Sequence, residues 1–352
     1  MIRSSKSLPS LFILFLCIFF SSRYIQRIFF EKDLVQSPLA KLRIKSTSCK
    51  PRKNSLLSYY IKNNKKVLFV VIDAFPNTRI YEELIGKDSK LHKYLNKSSE
   101  ETVFVSGASQ KTFSSLPYLM GKISPLDNCR YPFFSGSVKT NLMVSSKFLA
   151  TNKAICPSLY NSVSKNAFVR YANKIRKVID PQYVNRLKED SINCALNNKL
   201  VINEMVEKLR YLNSSPKGSI NFFHEIQFHS PGFGRERKTV LPFYDSEYYQ
   251  SIKYLIKRLK ESTNIDELIV MNDHGPRILK KNFSASNAEE LNLYDQMYYG
   301  VFVSRFRISD DKNNFDRKIL DKLIPSSKIR FCDDGFGNIK QIEDLKELEF
   351  CF

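Results

Sequence analysis

Asp273 and His274 stand side by side in Asn272-Asp273-His274-Gly275, directly after the apolar run Glu267 to Met271 (ELIVM). A carboxylate and an imidazole at the end of a strand are the donors that hold zinc, with manganese or calcium as alternatives. Gly275 lets the backbone turn sharply beneath them. An Asp-centred turn with a surface histidine uses the same residue types. Asp73 adds a second carboxylate at the end of Lys66 to Ala74 (KVLFVVIDA), as a metal ligand or as a turn or cap residue. Thr112 falls where the β-type run Val103 to Val105 gives way, through the polar elbow Ser106 to Gln110, to a helical pattern carrying Leu116, Leu119 and Met120. A hydroxyl there meets the unpaired N–H groups and positive end of the new helix, which suit an anionic ester. It is also where an ordinary N-cap belongs. His224 and His229, two of only four histidines, close the run Ser219 to His229 (SINFFHEIQFH). Neutral imidazoles just past a strand contact metal or phosphate, and a core histidine is the alternative for either one. Lys111, beside Thr112, and Arg235 or Arg237 add donors for an anion.

The elements that position these residues are legible from period and punctuation. Six consecutive apolar residues between Lys66 and Asp73 predict a strand buried on both faces, as in parallel sheets. Ser219 to His229, Glu267 to Met271 and Tyr298 to Phe306 predict further strands. Between them lie helical stretches: residues 76–96, with His92 on the surface, Asn161 to Lys177, Ser191 to Leu212 and Tyr248 to Leu259. Leu200, Ile202, Met205, Val206, Leu209 and Leu212 form one inward stripe, and Ile252, Leu255, Ile256 and Leu259 another. Strand–helix alternation predicts an α/β fold with a central, mostly parallel sheet sandwiched by helices. In such sheets ligands gather at the carboxyl ends of the strands, where Asp73, Asp273 and His274 fall. Gly121 to Lys153 reads as an irregular excursion over that edge, and Ser230 to Leu241 as a loop. The tail, Lys328 to Phe352, reads as a hairpin around Asp333-Asp334-Gly335 followed by a short helix.

The first 30 residues predict export. Arg3 and Lys6 precede the uncharged run Leu8 to Ser22, too short for a spanning helix of about 20 residues but suited to a signal segment. No small-x-small cleavage site follows, and Arg23, Tyr24, Arg27, Phe29 and Phe30 suit a membrane interface, so a signal-anchor is favoured over a cleaved peptide. Residues 31–64 read as a linker and 65–352 as the catalytic domain, placed outside the cytoplasm in a periplasm or lumen. Six cysteines beyond Cys17, none in a CxxC pair, permit up to three disulfides, with Cys129 and Cys156 as one candidate pair. The net charge of +21 over 352 residues predicts anionic surroundings. The basic residues are scattered and no nucleic-acid-binding signature is present, so no nucleic-acid partner is expected.

With VVIDA, TFSSLPYLMG and NDHG in that order, residues 66–306 resemble the alkaline phosphatase superfamily, which includes sulfatases, phosphodiesterases and phosphoethanolamine transferases. Thr112, Ser115, Leu116 and Pro117 repeat the nucleophile spacing of the phosphoethanolamine transferases, and His224 and His229 their paired histidines. The resemblance implies that Thr112 is the nucleophile carrying a phosphoryl intermediate. It implies zinc held by Asp73, Thr112, Asp273 and His274, with His224, His229 and Lys111 at the phosphate or a second metal. It further implies transfer of phosphoethanolamine or a related head group from an anionic phospholipid to a surface glycan or lipid. Asp73 stands where those transferases carry Glu, Pro276 to Glu290 lacks their further histidine, and their multi-span membrane domain is reduced to one segment. The sulfatase signature is absent around Thr112. A phosphodiesterase or sulfatase-like hydrolase, and a binding protein that has lost turnover, are the alternative readings.

Overall fold

A computed structural model describes residues 53–110, 112–121, 139–144, 182, 198–225, 228, 237–278, 288–309, 318–324, 326–333 and 339–342. The apolar run after Lys65 forms β1 (Lys66–Ile72), buried at every position. It lies at the centre of the sheet because neither face tolerates water. β1 pairs in parallel with β4 (Ser219–Glu225) on one side and β5 (Glu267–Met271) on the other. β3 (Lys139–Val144) extends the sheet beyond β4, also in parallel. Beyond β5 come β6 (Gly300–Arg307) and β2 (Glu101–Ser106), giving the order β2-β6-β5-β1-β4-β3. β6 is antiparallel to both its neighbours, so the sheet is mixed and only the β3-β4-β1-β5 block is parallel throughout. The chain leaves β5 and stays at the same edge: Gly275 N donates to Tyr298 O at 3.1 Å and Arg277 N to Met297 O at 3.2 Å. β6 therefore starts where β5 ended, without the crossover a parallel pairing needs. β2, reversed once more, points along β1 and delivers the Ser106–Gln110 elbow to the edge where Asp73 and Asp273 lie.

Eight described helices accompany the strands. α1 (Leu56–Lys62) buries Leu56, Leu57 and Tyr60 in the core, so the expected linker does not extend through 64. The helical stretch expected over 76–96 is two helices, α2 (Thr78–Ile85) and α3 (Lys90–Ser98), separated at Gly86 in the left-handed region (φ 71°). α4 (Thr112–Gly121) follows the elbow. α5 (Asn198–Leu212) and α6 (Arg237–Ser262) pack together, and α7 (Ala288–Tyr299) and the short α8 (Leu320–Leu323) complete the set. Ile202, Met205, Val206 and Leu209 face inward from α5 as the stripe predicts, but Leu200 is exposed and its neighbour Val201 takes its place. In α6, Ile252, Leu255 and Leu259 are buried while Ile256 is half-buried. α6 begins at Arg237, inside the stretch expected as a loop, and Tyr298 and Tyr299 end α7 and do not belong to β6. The tail forms the expected hairpin, β7 (Arg330–Asp333) with β8 (Ile339–Ile342). Cys332 is disulfide-bonded, and its partner lies outside the described residues. So do Asn161 to Lys177, the candidate pair Cys129 and Cys156, the helix expected after the hairpin, and Leu8 to Ser22. Among the described residues no helix is long and apolar enough to cross a membrane.

Strand parity decides which helices meet which residues. Val67, Phe69, Val71, Phe222, Ile269 and Met271 share one core with Leu116, Leu119 and Met120 of α4. Val70, Ile72, Phe223 and Val270 face α5 and α6 in the other. Val71 is in register with both His224 and Met271. Two residues on from Val71 and Met271, Asp73 and Asp273 keep that facing, so both carboxylates and His224 come out on the α4 side.

Candidate metal centre

Asp73, His224 and Asp273 each present a donor atom within 4.8 Å of the others, and all three are buried. His224 Nε2 lies 3.1 Å from Asp73 Oδ2. His274 Nε2 is 3.6 Å from Asp73 Oδ1 and 3.5 Å from Asp273 Oδ2. The other His274 nitrogen, Nδ1, donates to the Gly275 carbonyl at 2.8 Å. A carbonyl can only accept, so in the neutral ring the Nε2 lone pair faces two carboxylate oxygens. The same arrangement is the ordinary one around a cation, whose histidine ligands give their second nitrogen to a carbonyl or carboxylate. Asp273 is fully buried, and its Oδ2 and His224 Nδ1 have no hydrogen-bond partner among the described residues. Burial, and then the Asp73 carboxylate beside it, push the Asp273 carboxyl up to about 6. Two carboxylates and two imidazoles with unsatisfied buried donor atoms fit a divalent cation of the zinc or manganese type.

Thr112 opens α4 against this cluster. It is buried, and its hydroxyl lies beside the Asp273 carboxylate, which offsets part of the upward shift. The Ala74 N–H donates to Asp273 Oδ1 at 3.1 Å. Ala74 adopts φ 57°, a left-handed conformation that costs a non-glycine residue of order 1 kcal/mol or more and turns this N–H into the site. Five of the expected residues, Asp73, Thr112, His224, Asp273 and His274, thus come together, with His224, expected at the phosphate or a second metal, beside the same carboxylates. Lys111, His229 and Arg235 lie outside the described residues. His92, expected on the surface, is buried in the core instead. Its α3 face packs against Phe75 and Phe302, with ring centroids 6.0 and 4.7 Å away.

No family model and no curated protein matches the chain. Solved structures are similar to it at low identity. The C-terminal periplasmic domain of the phosphoethanolamine transferase EptC from Campylobacter jejuni aligns at 15% identity over 71% of this chain and 80% of that one, with a TM-score of 0.35. The phosphoglycerol transferase GacH from Streptococcus pyogenes, in complex with sn-glycerol-1-phosphate, aligns at 10% over 75% and 79%, TM-score 0.34. The alkaline phosphatase TAB5 with bound Mg aligns at 10% over 69% and 91%, TM-score 0.31. No residue role is taken from them.

One contributor escaped the reading of the sequence, and another was read with a different role. Asn272 is fully buried, and its amide spends every atom on the site's frame. The two Nδ2 hydrogens are shared among Phe75 O at 2.8 Å and His274 O and Gly300 O at 2.9 Å, and Oδ1 accepts from Phe302 N at 2.7 Å. One side chain ties the turn after β1 to the turn after β5. A polar residue ending an apolar strand was the available signal. Gly275 is needed for closeness and not for a sharp turn: its φ is not left-handed, but a Cβ there would collide with the Met297 carbonyl.

Proposed function

We propose that this protein is a metal-dependent phosphoryl-transfer enzyme acting outside the cytoplasm, tethered through its N-terminal segment. Thr112 attacks the phosphorus of a phospholipid phosphodiester and displaces the lipid alcohol, so that it carries phosphoethanolamine or a similar head group as a phosphoester; a hydroxyl of a surface glycan or lipid then attacks that phosphorus and displaces Thr112. The observation that carries the reading is the buried cluster of Asp73, His224 and Asp273, with the Thr112 hydroxyl close enough to the Asp273 carboxylate to lower its pKa. A lone N-cap threonine has no reason to sit against two ionisable carboxylates and two histidines.

Asp73, Asp273, His224 and His274 would hold a divalent cation, zinc by donor set, with manganese or calcium as alternatives. When bound, such a cation offsets charge on a transferring phosphoryl group and lowers the pKa of a coordinated hydroxyl. The residues do the rest. Asp273, beside the Thr112 hydroxyl, orients its oxygen. The first N–H groups of α4 face the same space and favour the charge that spreads over equatorial phosphoryl oxygens. Gly275 and Asn272 hold the ligands' backbone so that no reorganisation accompanies attack.

Intact mass of the zinc-supplied protein after exposure to phosphatidylethanolamine vesicles tests this. The expected result is a covalent head-group phosphoester on wild type and none on Thr112→Ala. Release of head group into water without an added acceptor would make the protein a hydrolase of the same chemistry. Wild-type turnover by Thr112→Ala would remove Thr112 from the mechanism.

A further inference from the structure

We propose that Ser115 is a positioning residue that keeps the cation-binding carboxylate of Asp273 in register with the Thr112 hydroxyl. The inference rests on the reading of the site as a metal centre.

Ser115 is fully buried and lies one turn beyond Thr112 on α4, so the two side chains emerge on the same helix face. A serine within a helix ordinarily turns to solvent or bonds back to its own helix carbonyl. Ser115 does neither: its Oγ donates in a short hydrogen bond to the Asp273 main-chain carbonyl. Asp273 is therefore held at three points. The Thr112 hydroxyl lies beside its carboxylate, Ala74 N–H meets Oδ1, and Ser115 fixes the peptide from which the carboxylate hangs. Two of those three come from α4, so the helix and the ligand loop cannot shift relative to one another without breaking both.

The elbow is shaped to leave room for this contact. Gly107 stands where a Cβ would lie 3.2 Å from Ser115 Oγ and 3.3 Å from the Tyr299 carbonyl. Any larger residue there presses on the serine hydroxyl from behind. The Gly107 N–H donates to that same Tyr299 carbonyl at 2.7 Å, so the elbow's position is itself fixed from α7. Ser115 is thus the joint between the element bearing the hydroxyl and the element bearing the carboxylate.

The test is calorimetric titration of chelator-stripped full-length protein with Mn²⁺ and Zn²⁺, with no substrate present. Ser115→Ala is expected to weaken cation binding by about tenfold or more, the size seen when an outer partner of a metal ligand is removed. Ser304→Ala serves as the control, since it removes a buried hydroxyl from β6, bonded to Thr102 at 2.9 Å, on the other face of the sheet. It should bind as wild type does, at a comparable loss of melting temperature in chelator. Affinity of Ser115→Ala within twofold of wild type overturns the inference while leaving the metal centre standing. Absence of binding by wild type overturns the metal centre first, and this inference with it. Should Ser115→Ala not fold, Gly107→Ala decides: it keeps the serine but crowds its Oγ, and unchanged affinity there overturns the positioning role.

Discussion

His92 donates from Nε2 to the Pro76 carbonyl at 2.8 Å, closing the turn between β1 and α2 from inside the core. Burial pulls the imidazole down to about 4 from its ordinary 6.5. The unfolded chain therefore binds a proton between those values that the folded chain refuses. Stability from this residue is complete above about pH 6.5 and drains away as pH falls toward 4, by about 3 kcal/mol in all. Urea unfolding of wild type and His92→Gln across pH 7.5 to 4.5 isolates it, because the difference between the two curves cancels every other titration. The difference should shrink as pH falls, and a flat difference would remove the histidine from the pH response.

Asp273 works in the opposite direction. Its carboxyl, raised to about 6 by burial and by Asp73, is more readily protonated folded than unfolded. Without a cation its contribution is fully present below about pH 3.8 and is lost as pH rises through 6. A divalent cation reverses this by requiring the ionised form. Zinc at 100 times its Kd should stabilise the protein by about 2.7 kcal/mol at pH 7.5, and by far less at pH 5. Thermal melts with and without chelator at both values check it. Asp273→Asn should abolish the zinc effect at either pH.

The frame of the site was legible because it depends on period and punctuation. KVLFVVIDA and ELIVM are apolar runs bounded by charge, and such runs have one place to go in a globular chain, the middle of a covered sheet. Once β1 and β5 are adjacent and parallel, Asp73 and Asp273 must meet. What was not legible depends on neighbours distant in sequence. His92 looked solvated because its own helix is mostly polar, yet Phe75 and Phe302 cover it from two strands away. The direction of β6 was not legible because local pattern carries none; it is set by Tyr298, just before β6, returning to Gly275, just after β5. The buried Leu56-Leu57-Tyr60 helix looked like linker because α1 is too short for its periodicity to stand out.

Asn272 offers a prediction about the frame alone. Its four hydrogen bonds join the Phe75, His274, Gly300 and Phe302 backbones, all in the core. Asn272→Asp keeps the shape but replaces an amide facing three carbonyls with an acceptor. Stranding those carbonyls beside a buried charge should cost about 3 kcal/mol or more. Asn272→Ala strands the same carbonyls without adding charge and should cost less. Urea midpoints should rank wild type above Ala above Asp, whereas Asp equal to wild type would mean that the amide does not bridge the two turns.

Arg330 makes the corresponding prediction for the elbow that leads to Thr112. Its guanidinium grips Asp295 of α7 at 2.5 and 2.8 Å, bonds the Ser327 carbonyl, and lies 5.3 Å from the Tyr299 ring centroid. From that anchor the tail reaches the elbow, with Ser327 N donating to Ser106 O and Phe331 N to Ala108 O, both at 2.8 Å. Arg330→Ala leaves Asp295 buried with only the Ser106 hydroxyl at 3.3 Å, and breaking such a pair costs about 3 kcal/mol. Arg330→Lys cannot reproduce the two-pronged contact and should recover less than half of that loss. None of the four side chains proposed to hold the cation lies on the elbow or the tail, so zinc affinity should stay within about twofold of wild type in both variants. Covalent labelling of Thr112 should slow, because the elbow sets where that hydroxyl stands. Unfolding, titration and labelling rates on the same preparations separate the two effects, and a fall in zinc affinity as large as the fall in labelling would mean that the tail supports the metal ligands as well.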